Sequence, residues 1–361
     1  GIRDLELQVG LDVVKDTAQQ LLALTNRVWV PPMEYTSKTP FFQLSYDLGD
    51  VTVTGGVRRE DGELKVDDYT TTWYRDRREV GGGTLDYQET LTNIGAIWRV
   101  TDDLSVYVST AEGFTLPNVG IPLRNISCSN DTSEGDVPFG GTQPDGCPND
   151  DPISVDGILD LQPIVVENKE IGFNWNGESA NIGASYYQSD SEFGVSLRVD
   201  PETEDYIMLR RPTEITGYEM SAGYKVTDTI KLNLMYSHTE GDTRDGDTGP
   251  LDRAMGVRDV GPDKVVLTAD WQFSEAGRVV LGARSVLDND INEGRAGEEH
   301  IKGYTLFDLN ANYQLDNSTF TVGIDNLLDK SYFLSHSQVD QWRNYFKGQG
   351  RIVSLGYTLK F

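Results

Sequence analysis

Period-two alternation of apolar and polar residues, repeated along nearly the whole chain, most constrains what this sequence can fold into. Phe42, Leu44, Tyr46 and Leu48 alternate with polar neighbours, as do Tyr218, Met220, Ala222, Tyr224 and Val226, and then Ile230, Leu232, Leu234 and Tyr236. Val51 to Val57, Val265 to Phe273, Leu309 to Leu315 and Val353 to Phe361 repeat the pattern. Successive side chains of an extended strand leave to opposite faces, so each segment has one apolar and one polar face.

The connections alternate too. Short turns fall at Gly49-Asp50, Thr101 to Asp103, Asn176 to Ser179, Thr227 to Thr229, Ser274 to Gly277 and Asp316-Asn317. Between them lie long polar connections, at residues 15 to 40, 62 to 86, 115 to 165, 200 to 214, 240 to 262, 288 to 302 and 331 to 348. Transmembrane β-barrels show this asymmetry, with tight turns on one side and long loops on the other, and strands of about 9 to 11 residues. A soluble propeller or sandwich also has alternating strands. Against that alternative stand the strict short and long parity, the lack of a repeat of about 40 to 50 residues, and aromatics at strand ends that suit interface girdles. The expected fold is all-β, an antiparallel transmembrane β-barrel of about 14 strands.

Composition supports this by exclusion. Apolar runs such as Val28 to Val30 are far shorter than the roughly 20 residues a membrane helix needs. A hydrophobic fraction of 37% is low only for a helical membrane protein, since a barrel shows lipid every second residue. With 31 basic against 58 acidic residues the net charge is −27, which argues against a nucleic-acid partner. No basic and then apolar leader is visible, and alternation already runs from Leu5 to Val13, so the start reads as mid-strand and a fragment is expected.

Several motifs resemble those of TonB-dependent outer-membrane receptors. Thr321 to Tyr332 contains Asn326-Leu-Leu-Asp-Lys330, which is similar to that family's Asn-Leu-aromatic-Asp pattern with Leu328 in the aromatic's place. Gly348-Gln-Gly-Arg351 and a last strand ending in Phe361 follow. Ser109 to Pro117 resembles a strand running into a Gly-Phe-x-x-Pro loop, and Leu161-Gln-Pro with Glu167 to Gly172 resembles another family strand. The motif residues are thus Asn326, Leu327, Asp329, Tyr332, Gly350, Arg351 and Phe361.

The resemblance covers residues 1–361. It implies the C-terminal, incomplete part of a barrel of about 22 strands, with the plug, the TonB box and the N-terminal strands absent. It further implies an outer-membrane receptor for a ferric siderophore. Arg210-Arg211, Val260 to Lys264, Asp288 to Asn292 and Lys347 to Arg351 place it nearest the branch taking ferric aerobactin or rhizobactin. Expected partners are the siderophore, outer-membrane lipid, and TonB through the missing plug. Receptors for haem, cobalamin or carbohydrate share the terminal motif, and a passive porin-like channel or a secreted β-rich enzyme or lectin is the contrasting reading.

The long connections then face the exterior, where ligand enters. Citrate-type ferric siderophores are anionic, so Arg210 and Arg211 beside Tyr206 are candidate contacts, with Arg295, Arg343 and Lys347 in other loops. Trp29, Trp73, Tyr74, Phe114, Trp342 and Tyr345 offer apolar surface for an iron chelate. Cys128 and Cys147 lie in the 115–165 loop, and the oxidising exterior favours a disulfide worth roughly 3 kcal/mol. His238, His300 and His336 fall near external loops, but the Phe114 to Asn118 segment departs from the haem branch's motifs.

No resident cofactor is expected, iron arriving only as the ferric-siderophore ligand. Asp288 to Glu293 and Asn149 to Asp151 are oxygen-rich but lack calcium-loop spacing, so no metal site is expected. HExxH, GxSxG, P-loop and CxxC patterns are all missing, so no catalytic residue is assigned and the protein is not expected to be an enzyme.

Overall fold

The computed structural model describes residues 4–71, 79–116, 119–120, 123, 153–155, 163–199, 206–244, 248–295, 297–339 and 346–361, and only the backbone of 153–154, 195–199 and 206–209. Long strands come first: β1 (Leu5–Leu22), β2 (Arg27–Asp47) and β3 (Val51–Val66). The short β4 (Tyr69–Thr70) and β5 (Glu79–Gly81) precede β6 (Gly83–Arg99) and β7 (Leu104–Thr115). After β8 (Ile153–Ser154) come β9 (Ile164–Asn176), β10 (Ala180–Val199), β11 (Tyr206–Lys225) and β12 (Ile230–Thr243). The chain continues through β13 (Arg253–Ala254), β14 (Lys264–Gln272), β15 (Gly277–Val286), β16 (Asn289–Ile291) and β17 (Glu299–Ile301). It ends with β18 (Tyr304–Leu315), β19 (Ser318–Asp325), a short helix α1 (Ser335–Val339) and β20 (Ile352–Leu359).

Fourteen strands follow one another in the order β1-β2-β3-β6-β7-β9-β10-β11-β12-β14-β15-β18-β19-β20, and β13 joins β12 as a fifteenth. All six expected short turns join sequence neighbours in this order. Two compact units divide the chain, one of residues 1–95, 110–168 and 190–213, the other of 96–109, 169–189 and 214–361.

In the second unit the register explains the alternation. Leu234 pairs with Ala222 and Leu267, Leu281 with Ala269 and Leu309, and Val322 with Ala311 and Leu355. These residues share one continuous apolar face, on which Leu234, Leu267, Leu281 and Leu355 are exposed. An apolar surface of that extent is costly in water and suits lipid. The intervening residues form the polar face, where Asn233 pairs with Thr268, Thr268 with Gly282, and Gly323 with Ser354. Near the short turns the apolar face carries Trp271 against Phe273 and Phe273 against Tyr313, with Phe320 against Tyr357; toward the long connections it carries Tyr218, Tyr236 and His238. Two aromatic girdles thus flank the aliphatic band.

The first unit departs from the expected loops in two ways. Residues 15–40 are strand over most of their length, with β1 and β2 joined by a short turn at 23–26 and Lys15 paired with Thr36. Beyond the lipid band neither face must be apolar, so the period-two signal fades while backbone pairing continues. The same holds for 206–214 at the start of β11. The second departure is in the 115–165 connection, whose described residues are not all polar surface. Val119, Leu123 and Val155 are buried against Leu64, Val66, Val80 and Tyr87, and Phe114 packs on that cluster. β8 pairs in parallel with β5, and the Tyr69 hydroxyl donates to the Leu123 carbonyl at 2.7 Å. Gly82 permits this approach: a Cβ there would lie 2.3 Å from the Val66 carbonyl oxygen.

Candidate functional site

In the second unit the terminal motif shows how the base of one long connection is built. At the end of β19, Asn326 is 3% exposed with φ 50°. Its side-chain amide donates to the Lys330 carbonyl at 2.9 Å and the Gln349 carbonyl at 3.0 Å, and its carbonyl oxygen accepts the Lys330 amide at 2.8 Å. The Asn326 amide donates to Asp308 Oδ1 at 3.0 Å, and the Leu327 amide to the Phe307 carbonyl. Asp329, φ 52°, accepts the Arg351 amide at 3.0 Å beside Gly350. Tyr332 packs on Tyr304 with ring centroids 4.5 Å apart. The motif is therefore a latch that closes the base of the last long connection across β18, β19 and the start of β20. Phe361 lies exposed just past β20.

Several arginines near the long connections bond backbone carbonyls. Arg210 donates to the Pro163 and Phe193 carbonyls, each at 3.4 Å, and its guanidinium carbon lies 5.6 Å from the Phe193 ring centroid. Burial pulls its pKa down, opposed by Tyr87. Arg211 is the next residue of the same strand, so the two side chains leave to opposite faces and the expected arginine pair does not converge. Arg244 donates to the Gly249 carbonyl at 3.1 Å, Arg295 to that of Asp252 at 3.0 Å, and Arg258 to that of Val339 at 3.0 Å.

Of the expected aromatic contacts, Phe114 is a packing residue, edge-on to Tyr87 at 6.2 Å. Trp29 is half-buried in β2. Trp73, Tyr74, Trp342, Arg343, Tyr345, Cys128, Cys147 and the side chain of Tyr206 lie outside the described residues. His238 contacts Asp263 at 2.8 Å and stacks obliquely on Tyr218; His300 contacts Asp290 at 2.8 Å, which raises its pKa. His336 lies in α1.

Two features escaped the sequence reading. In the first unit Glu60, 7% exposed, accepts from Thr39 at 2.6 Å and pairs with Arg58 at 2.6 Å. In the second, the polar sheet face holds a cavity of about 380 Å³ lined by Tyr107, Asn174, Ser185, Glu219, Ser237 and Lys264, with the Tyr107 hydroxyl donating to Glu170 at 2.7 Å. The cavity has no local signature, because strands distant in sequence supply its lining, and the burial of Glu60 depends on Thr39 across the β2–β3 hairpin.

This arrangement has a known counterpart. The family model described as TonB dependent receptor-like, beta-barrel matches residues 5–327. The chain belongs to this family. TonB-dependent receptors are outer-membrane receptors and transporters, and the exposed apolar sheet face is accordingly the lipid face of an outer-membrane β-barrel chain. Among curated relatives, the ferric aerobactin receptor of Klebsiella pneumoniae is 24% identical over 92% of this chain and 45% of its own length. The rhizobactin receptor of Rhizobium meliloti is 22% identical over 92% and 44%. The chain thus spans about half the length of the curated relatives it matches. Solved structures agree on the fold: the copper transporter OprC at TM-score 0.72 and 16% identity, covering 99% of this chain and 54% of that one, and the E. coli ferric-catecholate import receptor Fiu at 0.66 and 16%, covering 99% and 52%.

Proposed function

We propose that the whole receptor of which this barrel chain is part captures a ferric siderophore of the citrate-hydroxamate type and imports it with energy delivered through TonB. The observation that carries this reading is the likeness over 92% of the chain to receptors named for ferric aerobactin and rhizobactin. In this reading the latched rim and long connections supply the capture surface and the polar sheet face lines the passage. A plug domain, as the family resemblance implies, occludes the passage and contacts TonB. The chain acts in binding and transport and has no enzymatic step of its own. Arg210, Arg211 and Tyr206 stay candidate contacts on β11, Arg210 chiefly as a tie between backbone segments. Trp73, Trp342 and Tyr345 are candidate apolar contacts, and Cys128 with Cys147 a candidate disulfide. Uptake of radio-iron from ferric aerobactin by iron-starved cells carrying the gene is the test. Uptake abolished by loss of TonB supports the proposal; TonB-independent uptake, or none from aerobactin or rhizobactin, opposes it.

A further inference from the structure

The connections 240–262, 288–302 and 331–348 read in sequence as three separate loops, yet in the second unit their described residues are tied to one another pair by pair. Asn292 accepts the Ala254 amide at 3.2 Å and donates to the Ala254 carbonyl at 3.0 Å, and Arg295 donates to the Asp252 carbonyl at 3.0 Å. Gln338 exchanges two bonds with Lys302, accepting its amide at 2.9 Å and donating to its carbonyl at 3.0 Å. Arg258 reaches the Val339 carbonyl at 3.0 Å. Beneath these ties Val257, Ile291 and Ile301 are buried together, with Ala254 and Val339 packed on them. Each loop therefore contributes to one small core.

Glu299 sits at the junction. Its side chain is 14% exposed; it accepts the Val257 amide at 2.8 Å and lies 3.5 Å from Arg258 Nη1, while its charge also acts on Arg253. The 253–258 segment wraps the carboxylate so closely that a Cβ on Gly256 would lie 2.9 Å from Glu299 Oε1. Through Arg258 the same carboxylate connects to α1, and through β17 to Lys302 and Gln338. A largely buried carboxylate with a backbone donor and a guanidinium partner is costly to disturb, because its removal strips the counter-charge from groups that stay behind.

We propose that Glu299 is the positioning residue that locks the described segments of these three loops into one preformed body, so that this sector of the capture face meets its ligand already assembled. The proposal deepens the capture reading above, on which only its ligand arm rests.

Hydrogen exchange read by mass spectrometry on the whole receptor in detergent tests it. In the wild type, segments 254–257, 289–292 with 299–302, and 337–339 are expected to exchange slowly and at matching rates. Glu299→Ala is expected to accelerate all three by about tenfold or more while β14 and β15 stay protected, and Glu299→Gln, which keeps the acceptor, to accelerate them less. Gln338→Ala, a milder change at another corner, is expected to loosen 254–257 although Gln338 does not bond there. Acceleration confined to 253–258 in Glu299→Ala, or to 302 and 337–339 in Gln338→Ala, would overturn the single-body proposal. With ferric aerobactin as the probe, bound wild type is expected to show unchanged exchange in these segments. Glu299→Ala is expected to gain protection there on binding, with affinity lowered about tenfold by the ordering cost. New protection on binding in the wild-type loops would refute preassembly. Failure of the wild type to bind the probe would count against the siderophore reading alone and leave the exchange result to decide the loops.

Discussion

At the residue scale, the terminal motif makes sense as local physics. Asn326 and Asp329 both occupy left-handed backbone conformations, which short polar side chains tolerate better than alanine. Asn326 combines an amide's two donors with its acceptor, which an aspartate or leucine there lacks. Asn326→Ala should therefore lower the apparent melting temperature and cost about 2–4 kcal/mol, with Asn326→Gly recovering only the backbone part. Thermal unfolding in detergent, followed by circular dichroism, measures it.

Tyr87 gives a second test at this scale. It lies in the part of β6 beyond the lipid band, is 2% exposed, and its hydroxyl has no hydrogen-bond partner among the described residues. Burial pushes its pKa up to about 12, opposed by Arg210. A raised phenol pKa means the fold favours the neutral form. That contribution is fully present below the ordinary value near 10 and is lost as pH rises through about 12. Tyr87→Phe should be nearly neutral at pH 7 and should remove a stability loss of about 2 kcal/mol over that alkaline window. A melting series from pH 8 to 12 on both proteins, run at matched scan rate, decides it, and equal alkaline losses would count against the assignment.

At the element scale, strand faces determine the cost of a charge. Leu267 lies in the aliphatic band and Thr268 beside it on the polar face. Leu267→Arg should destabilise by about 2–4 kcal/mol and Thr268→Arg by far less, read from folding yield and denaturant midpoint in lipid vesicles. This is also where sequence was most informative. Leu232, Leu234 and Leu267 must face lipid, so their alternation and the six short turns were legible. Lys15, Thr36 and Lys38 carry no such requirement, so the extensions of β1 and β2 were not. The candidate site was less legible still. Arg210 and Arg211 stood out by adjacency as candidate anion contacts, but adjacent side chains of a strand leave to opposite faces. Glu299 owes its place to Val257, Gly256 and Arg258, some forty residues away, and no local spacing announces it.

At the scale of the whole molecule, an acidic, polar chain crosses a membrane by placing its apolar residues on one sheet face and its polar ones on the other. Its long connections are not featureless: in one unit Val119, Leu123 and Val155 anchor one of them in a core, and in the other three are cross-tied around Val257, Ile291 and Ile301. Tryptophan fluorescence quenching of the whole purified receptor, titrated with ferric aerobactin, ferric rhizobactin, haem and cobalamin, tests the proposed capture of a ferric siderophore most directly. Saturable quenching by a ferric siderophore with Kd of about 1 μM or tighter, and none by the metal-free chelator or by haem, is the predicted result. Tight binding of haem or cobalamin with no response to either ferric siderophore would contradict it.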